Sequence, residues 1–278
     1  MRYVFFVSVL LSAVPAFAKF GDCEFTAMNL MSQASAKQMS YSELAVAIAK
    51  LSRLKDKVNA VRLVLPLVSD PQNVEAAITI LTQLGEDEAA YRDEEADIAF
   101  TITRLMPEIS SSGLVRLINA TKYLKNKMSV LDMMKDKISN FEAGGANSIL
   151  ESIGKGQVAF IEEEKHAVFV ISHRVQSLTA VQLAKLVESA RYTVSKVNLY
   201  NSLIGKVSNI NDFDSILRIF KGINSDSQTE VDMLWKLRML TPQMDAERLL
   251  ALSRAAHTSR AQAKVFEFFE PLTKQTMR

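Results

Sequence analysis

The sequence predicts an all-α protein, a superhelical stack of about seven helical hairpins (an α-solenoid), and three observations carry that reading. Apolar residues recur at helical spacing: Leu44, Ile48, Leu51 and Leu54 continue into Val58, Val61, Val64 and Val68. About seventy residues later the frame returns as Leu114, Ile118 and Leu124, then Met128, Leu131, Met134 and Ile138. It returns again as Leu183, Val187 and Ala190, then Val197, Tyr200, Leu203 and Val207. A second block, Glu95, Asp97, Phe100 and Ile102, recurs as Glu164, His166, Phe169 and Ile171, and then as Glu230, Asp232, Trp235 and Leu237. Each period of about 70 residues holds two hairpins of about 35, and hairpins that short must stack to bury both faces.

The chain opens MRYVFFVSVLLSAVPAFA, with Arg2 before an apolar run from Val4 to Leu11 and small residues at Ala16 and Ala18. That is the pattern of a secretory signal peptide, residues 1–18, cleaved after Ala18. The apolar run is well short of the roughly 20 residues of a spanning helix. The expectation is export, periplasmic in a Gram-negative source and secreted otherwise, with no membrane span after cleavage. Residues 19–36, with Phe25, Met28, Leu30 and Met31, read as an entry segment that caps the first repeat. A helical-repeat domain then fills residues 37–278.

Within each period the first helix, A, begins near a small polar residue: Ser40 and Ser42, Ser110 to Ser112, Thr179, and Asp245. Such side chains accept hydrogen bonds from the free amides of a helix start. Lys57, Lys127 and Lys196 mark the join to helix B, which Pro66 punctuates in the first copy and Gly205 in the third. A turn follows, SDPQN at Ser69 to Asn73, matched by SNIND at Ser208 to Asp212. Helix C carries Ile78, Leu81 and Leu84, matched by Leu217, Phe220 and Ile223. The middle copy has Gly144 and Gly145 there, which weaken a helix. Helix D carries the second block. A fourth A–B pair closes the chain with Leu249, Leu252, Ala256, Phe266 and Phe269, while Met128 and Met134 read as core filler.

The hairpin length is similar to that of tetratricopeptide and other helical-repeat proteins, without their tryptophan, glycine and tyrosine signature. The first A–B unit also resembles an uncharacterised domain family of exported bacterial proteins. Its L-x-x-x-I frame, the K-V-N of Lys57 to Asn59, and the D-x-x-N of Asp70 and Asn73 carry that likeness. The third copy replaces Asp70 by Asn209 and Asn73 by Asp212. Neither resemblance implies an activity.

Lysine and arginine number 33 against 31 aspartates and glutamates, a net charge of +2 that falls to +1 when Arg2 is lost. A chain so balanced is not built for nucleic acid. Its one cysteine, Cys23, follows Phe-Gly-Asp rather than a lipoprotein signal and reads as a buried or unused thiol. No H-E-x-x-H, G-x-S-x-G or Walker-type loop occurs. Glu163 and His166 make one E-x-x-H step with no second copy, and the positions matching His166 hold Asp97 and Asp232. The step reads as a solvated helix face, so no catalytic residue, metal or cofactor is assigned.

Charge recurs with the repeat. If the periods stack in register, Glu94, Glu95, Asp97, Glu163, Glu164, Glu230 and Asp232 make an acidic ridge along the D helices that would draw a cationic partner. For any one of them the helix dipole alone, worth about 0.3–1 kcal/mol, is explanation enough. The functional expectation is an exported, non-catalytic scaffold that binds a protein or peptide. The alternative is a metal-dependent or hydrolytic cell-envelope enzyme using Glu163 and His166.

Overall fold

The computed structural model describes residues 29–32, 39–70, 72–85, 92–138, 141–154 and 160–273. The residues expected to form a signal peptide, Cys23 and nearly all of the expected entry segment lie outside the described residues. The chain divides into two compact units, Met1–Pro107 and Glu108–Arg278, where the sequence suggested one repeat domain.

Helix starts are set by the small polar residues. Ser40 accepts from the Glu43 amide at 3.2 Å while Glu43 Oε2 accepts from the Ser40 amide at 2.8 Å, a reciprocal cap. Thr179 and Gln182 repeat that arrangement, Ser110 accepts from the Gly113 amide, and Asp245 accepts from the Arg248 amide. In the first unit the helices are α1 (Tyr41–Ala49), α2 (Leu54–Val64), α3 (Val74–Gly85) and α4 (Arg92–Leu105). The second unit holds α5 (Ser111–Ala120), α6 (Leu124–Met134), α7 (Ala143–Gly154), α8 (Ile161–Arg174) and α9 (Ala180–Ser189). It continues with α10 (Thr193–Leu203), α11 (Phe213–Gly222), α12 (Ser227–Leu240), α13 (Ala246–Ala255) and α14 (Ser259–Thr273).

These pair as seven hairpins among the described residues, all helical apart from two isolated bridges. Each unit has two layers. In the first, α1 packs on α3 and α2 on α4. In the second, α5, α7, α9, α11 and α13 pack in succession as one layer, and α6, α8, α10, α12 and α14 as the other. The expected all-α stack of hairpins is what forms.

The core lies between the layers. Leu44 and Ile48 in the first unit, and Leu114, Ile118, Leu183 and Val187 in the second, have no exposed surface. Each such burial is worth roughly 1.5–3 kcal/mol. On helix C, Leu81, Leu84, Phe220 and Ile223 are buried as expected, while Ile78 and Leu217 are half-buried and Ile80, Ile216 and Ile219 are fully buried beside them.

The break after helix B recurs without regard to proline. The helix tightens into a 3-10 turn at Leu65–Leu67 and Ile204–Lys206, where Pro66 and Gly205 stand, and also at Lys135–Lys137, which has neither. What the three share is the need to bring the chain back beside its own helix A. The Ile109 amide donates to Lys137 O at 3.0 Å, and Leu178 donates to Lys206 O at 3.3 Å. In the first unit the Ser69 amide donates to Met39 O at 3.2 Å.

Candidate functional site

The D helices, α4, α8 and α12, present the recurring residues singled out in the sequence, and the structure separates them into two groups. Glu95, Glu164 and Glu230 are buried, with exposures of 0%, 1% and 1%. They do not belong to a solvent-facing ridge. Each lies on the inward row of its helix, three residues before Ile98, Ala167 or Met233. Glu164 accepts from the Arg191 amide at 2.8 Å and the Tyr192 amide at 3.0 Å, in the turn that opens α10. Glu230 accepts from the His257 and Thr258 amides at 2.8 and 2.9 Å and from the Thr258 hydroxyl at 2.7 Å. Tyr192 is the N-cap of α10 and offers no side-chain cap, so Glu164 supplies the anion that this helix start lacks.

The remaining four stay at the surface, but as separate residues. Glu94 and Asp97 are half-buried on α4, where Asp97 is ion-paired with Arg62 of α2. Glu163 is half-buried on α8, and exposed Asp232 on α12 accepts from Gln228 of its own helix at 2.8 Å. Of the seven, each matching helix in the second unit thus keeps one carboxylate at the surface, Glu163 on α8 and Asp232 on α12.

The recurring lysines are structural as well. They lie inside the first turn of helix B rather than at the join. Their ammonium groups reach the last carbonyls of helix C: Lys57 to Gln83 O at 3.5 Å, Lys127 to Ser152 O at 3.2 Å, Lys196 to Gly222 O at 3.0 Å. A cation there complements the negative helix end. His257, before α14, meets the same end of α11 as Lys196 does, its Nε2 lying 3.2 Å from Phe220 O; a carbonyl can only accept, so that nitrogen carries the hydrogen.

His166 Nε2 lies 2.7 Å from Asp132 Oδ1 on α6, which also accepts from Lys135 at 3.3 Å. The sequence offered His166 no carboxylate on another element; α6 supplies one. His173 bonds Phe169 O of its own helix at 2.8 Å. Among the described residues no three His, Cys, Asp or Glu side chains converge as metal ligands would. At the start of α12, Asp226 accepts from the Thr229 hydroxyl at 2.6 Å and from the Gln228 and Thr229 amides at 3.0 Å. The Thr229 bonds, its hydroxyl first, hold that carboxyl below the ordinary range.

The same repeating block also carries an aromatic position. Ile102, Ile171 and Leu237 are buried, but Phe100, Phe169 and Trp235 are 53%, 58% and 53% exposed. Their position is two residues before the buried one, on the opposite side of the helix. That offset is legible in the sequence. In the second unit, α8 and α12 flank α10 in one layer, so Phe169 and Trp235 stand on alternate helices of it. Phe169 packs against His173 with ring centres 4.2 Å apart and planes tilted by 45°, and Trp235 meets Phe268 of α14 edge-on at 5.3 Å. Met239, one turn beyond Trp235, is 68% exposed.

A stack of helical hairpins with capping carboxylates inside and aromatics outside defines the class of this protein, and comparison takes it no further. No family model, curated protein or solved structure matches the chain.

Proposed function

We propose that this protein is an exported helical-repeat scaffold that binds a protein or peptide partner and performs no chemistry of its own. The carrying observation is that one repeat position holds an exposed aromatic three times, at Phe100, Phe169 and Trp235. A single exposed apolar residue needs no explanation. An aromatic left in water at the same position of every D helix is different, because fold stability does not call for it there. Tryptophan, phenylalanine and methionine are the side chains enriched at the cores of protein interfaces. Rigid helices also present them with little entropy left to lose. Export is read from the opening residues, and the even charge leaves contact chemistry rather than long-range attraction to select the partner.

The test uses the purified protein as bait in the native exported fraction of its source, beside Phe169→Ser, Trp235→Ser and the double variant. The expected result is a partner retained by the parent and lost to the double variant, with an unchanged melting temperature. Equal capture by the double variant overturns the proposal.

A further inference from the structure

In the second unit a cleft of about 670 Å³ opens where successive periods meet, lined by Ile138, Phe141, Arg174, Gln176, Ser177 and Ser208 among others. We propose that this cleft takes an extended peptide segment of a partner protein as an added strand. The inference goes beyond the D-helix aromatics and does not rest on them.

The walls are two short stretches of extended chain. Ile109 and Ile138 make one parallel bridge, Leu178 and Val207 the other. On the second, the Leu178 amide donates to Lys206 O at 3.3 Å and Leu178 O accepts from the Ser208 amide at 2.9 Å. Both main-chain groups of Leu178 are therefore used toward the 206–208 segment. The chain is extended on either side, with φ and ψ of −68° and 120° at Val175 and −86° and 164° at Thr179. Alternation along an extended chain turns the N–H and C=O of Ser177 the opposite way. Ser177 is exposed, and no described residue bonds its main chain. A donor and an acceptor on one strand edge, facing a cleft, is the arrangement that pairs with another backbone.

The rest of the lining fits such an occupant. The volume lies within the range of ligand clefts, about 300–1,000 Å³. Ile138 and Phe141 give an apolar floor for one set of alternate side chains. Gln176, Gln182 and Ser208 make the facing side polar, their side chains held on Arg174 O, the Thr179 amide and Leu178 O. Main-chain pairing sets affinity, and this polar wall favours small or hydroxylated side chains. At the rim, a Cβ added to Gly144 would meet nothing within 4 Å, so the helix start there is open to the cleft.

A library of short end-blocked peptides built from Ala, Ser, Thr, Val and Asn, selected on the purified full chain, tests this. The expected result is enriched peptides that bind the parent and the Phe169→Ser/Trp235→Ser variant alike. Binding should weaken roughly tenfold or more, as loss of a main-chain hydrogen bond and its neighbours requires, in Ser177→Pro, in Gly144→Gln and on N-methylation of the peptide amides. Gly144→Gln fills the cleft from a position with free space, so it should melt no lower than the parent. The proposal is overturned if no peptide is enriched, or if the enriched peptides bind Gly144→Gln as well as the parent.

Discussion

A carboxylate removed from water survives in a fold only when donors surround it, and Glu230 has three, from His257 and from Thr258 twice. Glu230→Ala strips all three donors of their acceptor and should cost about 2–4 kcal/mol in a urea titration. Glu230→Gln keeps an acceptor but loses the charge, and should cost about 1–2 kcal/mol less than that. Glu163→Lys, at the surface of α8 beside buried Glu164, should be close to neutral. Tyr200 shows the same logic for a neutral group. Its hydroxyl donates to Met233 O at 2.8 Å, and burial raises its pKa far above the ordinary tyrosine value of 10.0. The folded protein therefore keeps a proton that the unfolded chain gives up above about pH 10. This stabilisation is complete below that pH and declines as pH rises beyond it, by up to about 1.4 kcal/mol per pH unit. Tyr41, also raised chiefly by burial and then by Asp70, adds in the same direction. Tyr200→Phe should be about 1 kcal/mol less stable at pH 7 yet lose stability less steeply between pH 10 and 12. At this scale the sequence was readable only in part. The row Glu164, Ala167, Val168, Ile171 already placed the carboxylate inward, but charge counted as surface hid it, and its partners 27 residues away had no local signal.

Along single elements, propensity and packing pull apart at two adjacent glycines. Both stand in the first turn of α7, where glycine weakens a helix. A Cβ on Gly145 would lie 2.7 Å from Ser111 Cβ, whereas one on Gly144 meets open space. Gly145 is kept by the close approach of α7 to the start of α5, where Ser111 Oγ accepts from the Glu142 amide at 3.1 Å. Gly144→Ala should therefore stabilise by about 0.5 kcal/mol, and Gly145→Ala should destabilise by about 1–3 kcal/mol, both read from thermal melts. Helix starts were legible because a cap is a local bond, as at Ser40 and Thr179. The turn at Lys135–Lys137 was not, because it answers to Ile109 on the far side of a hairpin rather than to a breaker residue.

Over the whole molecule, the repeat marks both sets of matched residues, and the structure divides the expected ridge: three of its seven carboxylates are buried and four stay at the surface. Glu164 and Glu230 hold the starts of α10 and α14, and the aromatics of the same repeating block face water. Binding that depends on Phe169 and Trp235 should be insensitive to salt. Capture of the partner should persist from about 0.15 M to about 0.5 M ionic strength, where an acidic ridge would be screened within a few ångströms. The central claim, that the recurring carboxylates are internal fastenings between successive hairpins, is tested most directly by native-state amide hydrogen exchange. Arg191, Tyr192, His257 and Thr258 lie in turns between helices, where amides ordinarily exchange fast. Bound by Glu164 and Glu230, these four should be protected to the same degree as the interiors of α10 and α14. Exchange of the four at unprotected loop rates, with those helices still protected, would contradict it.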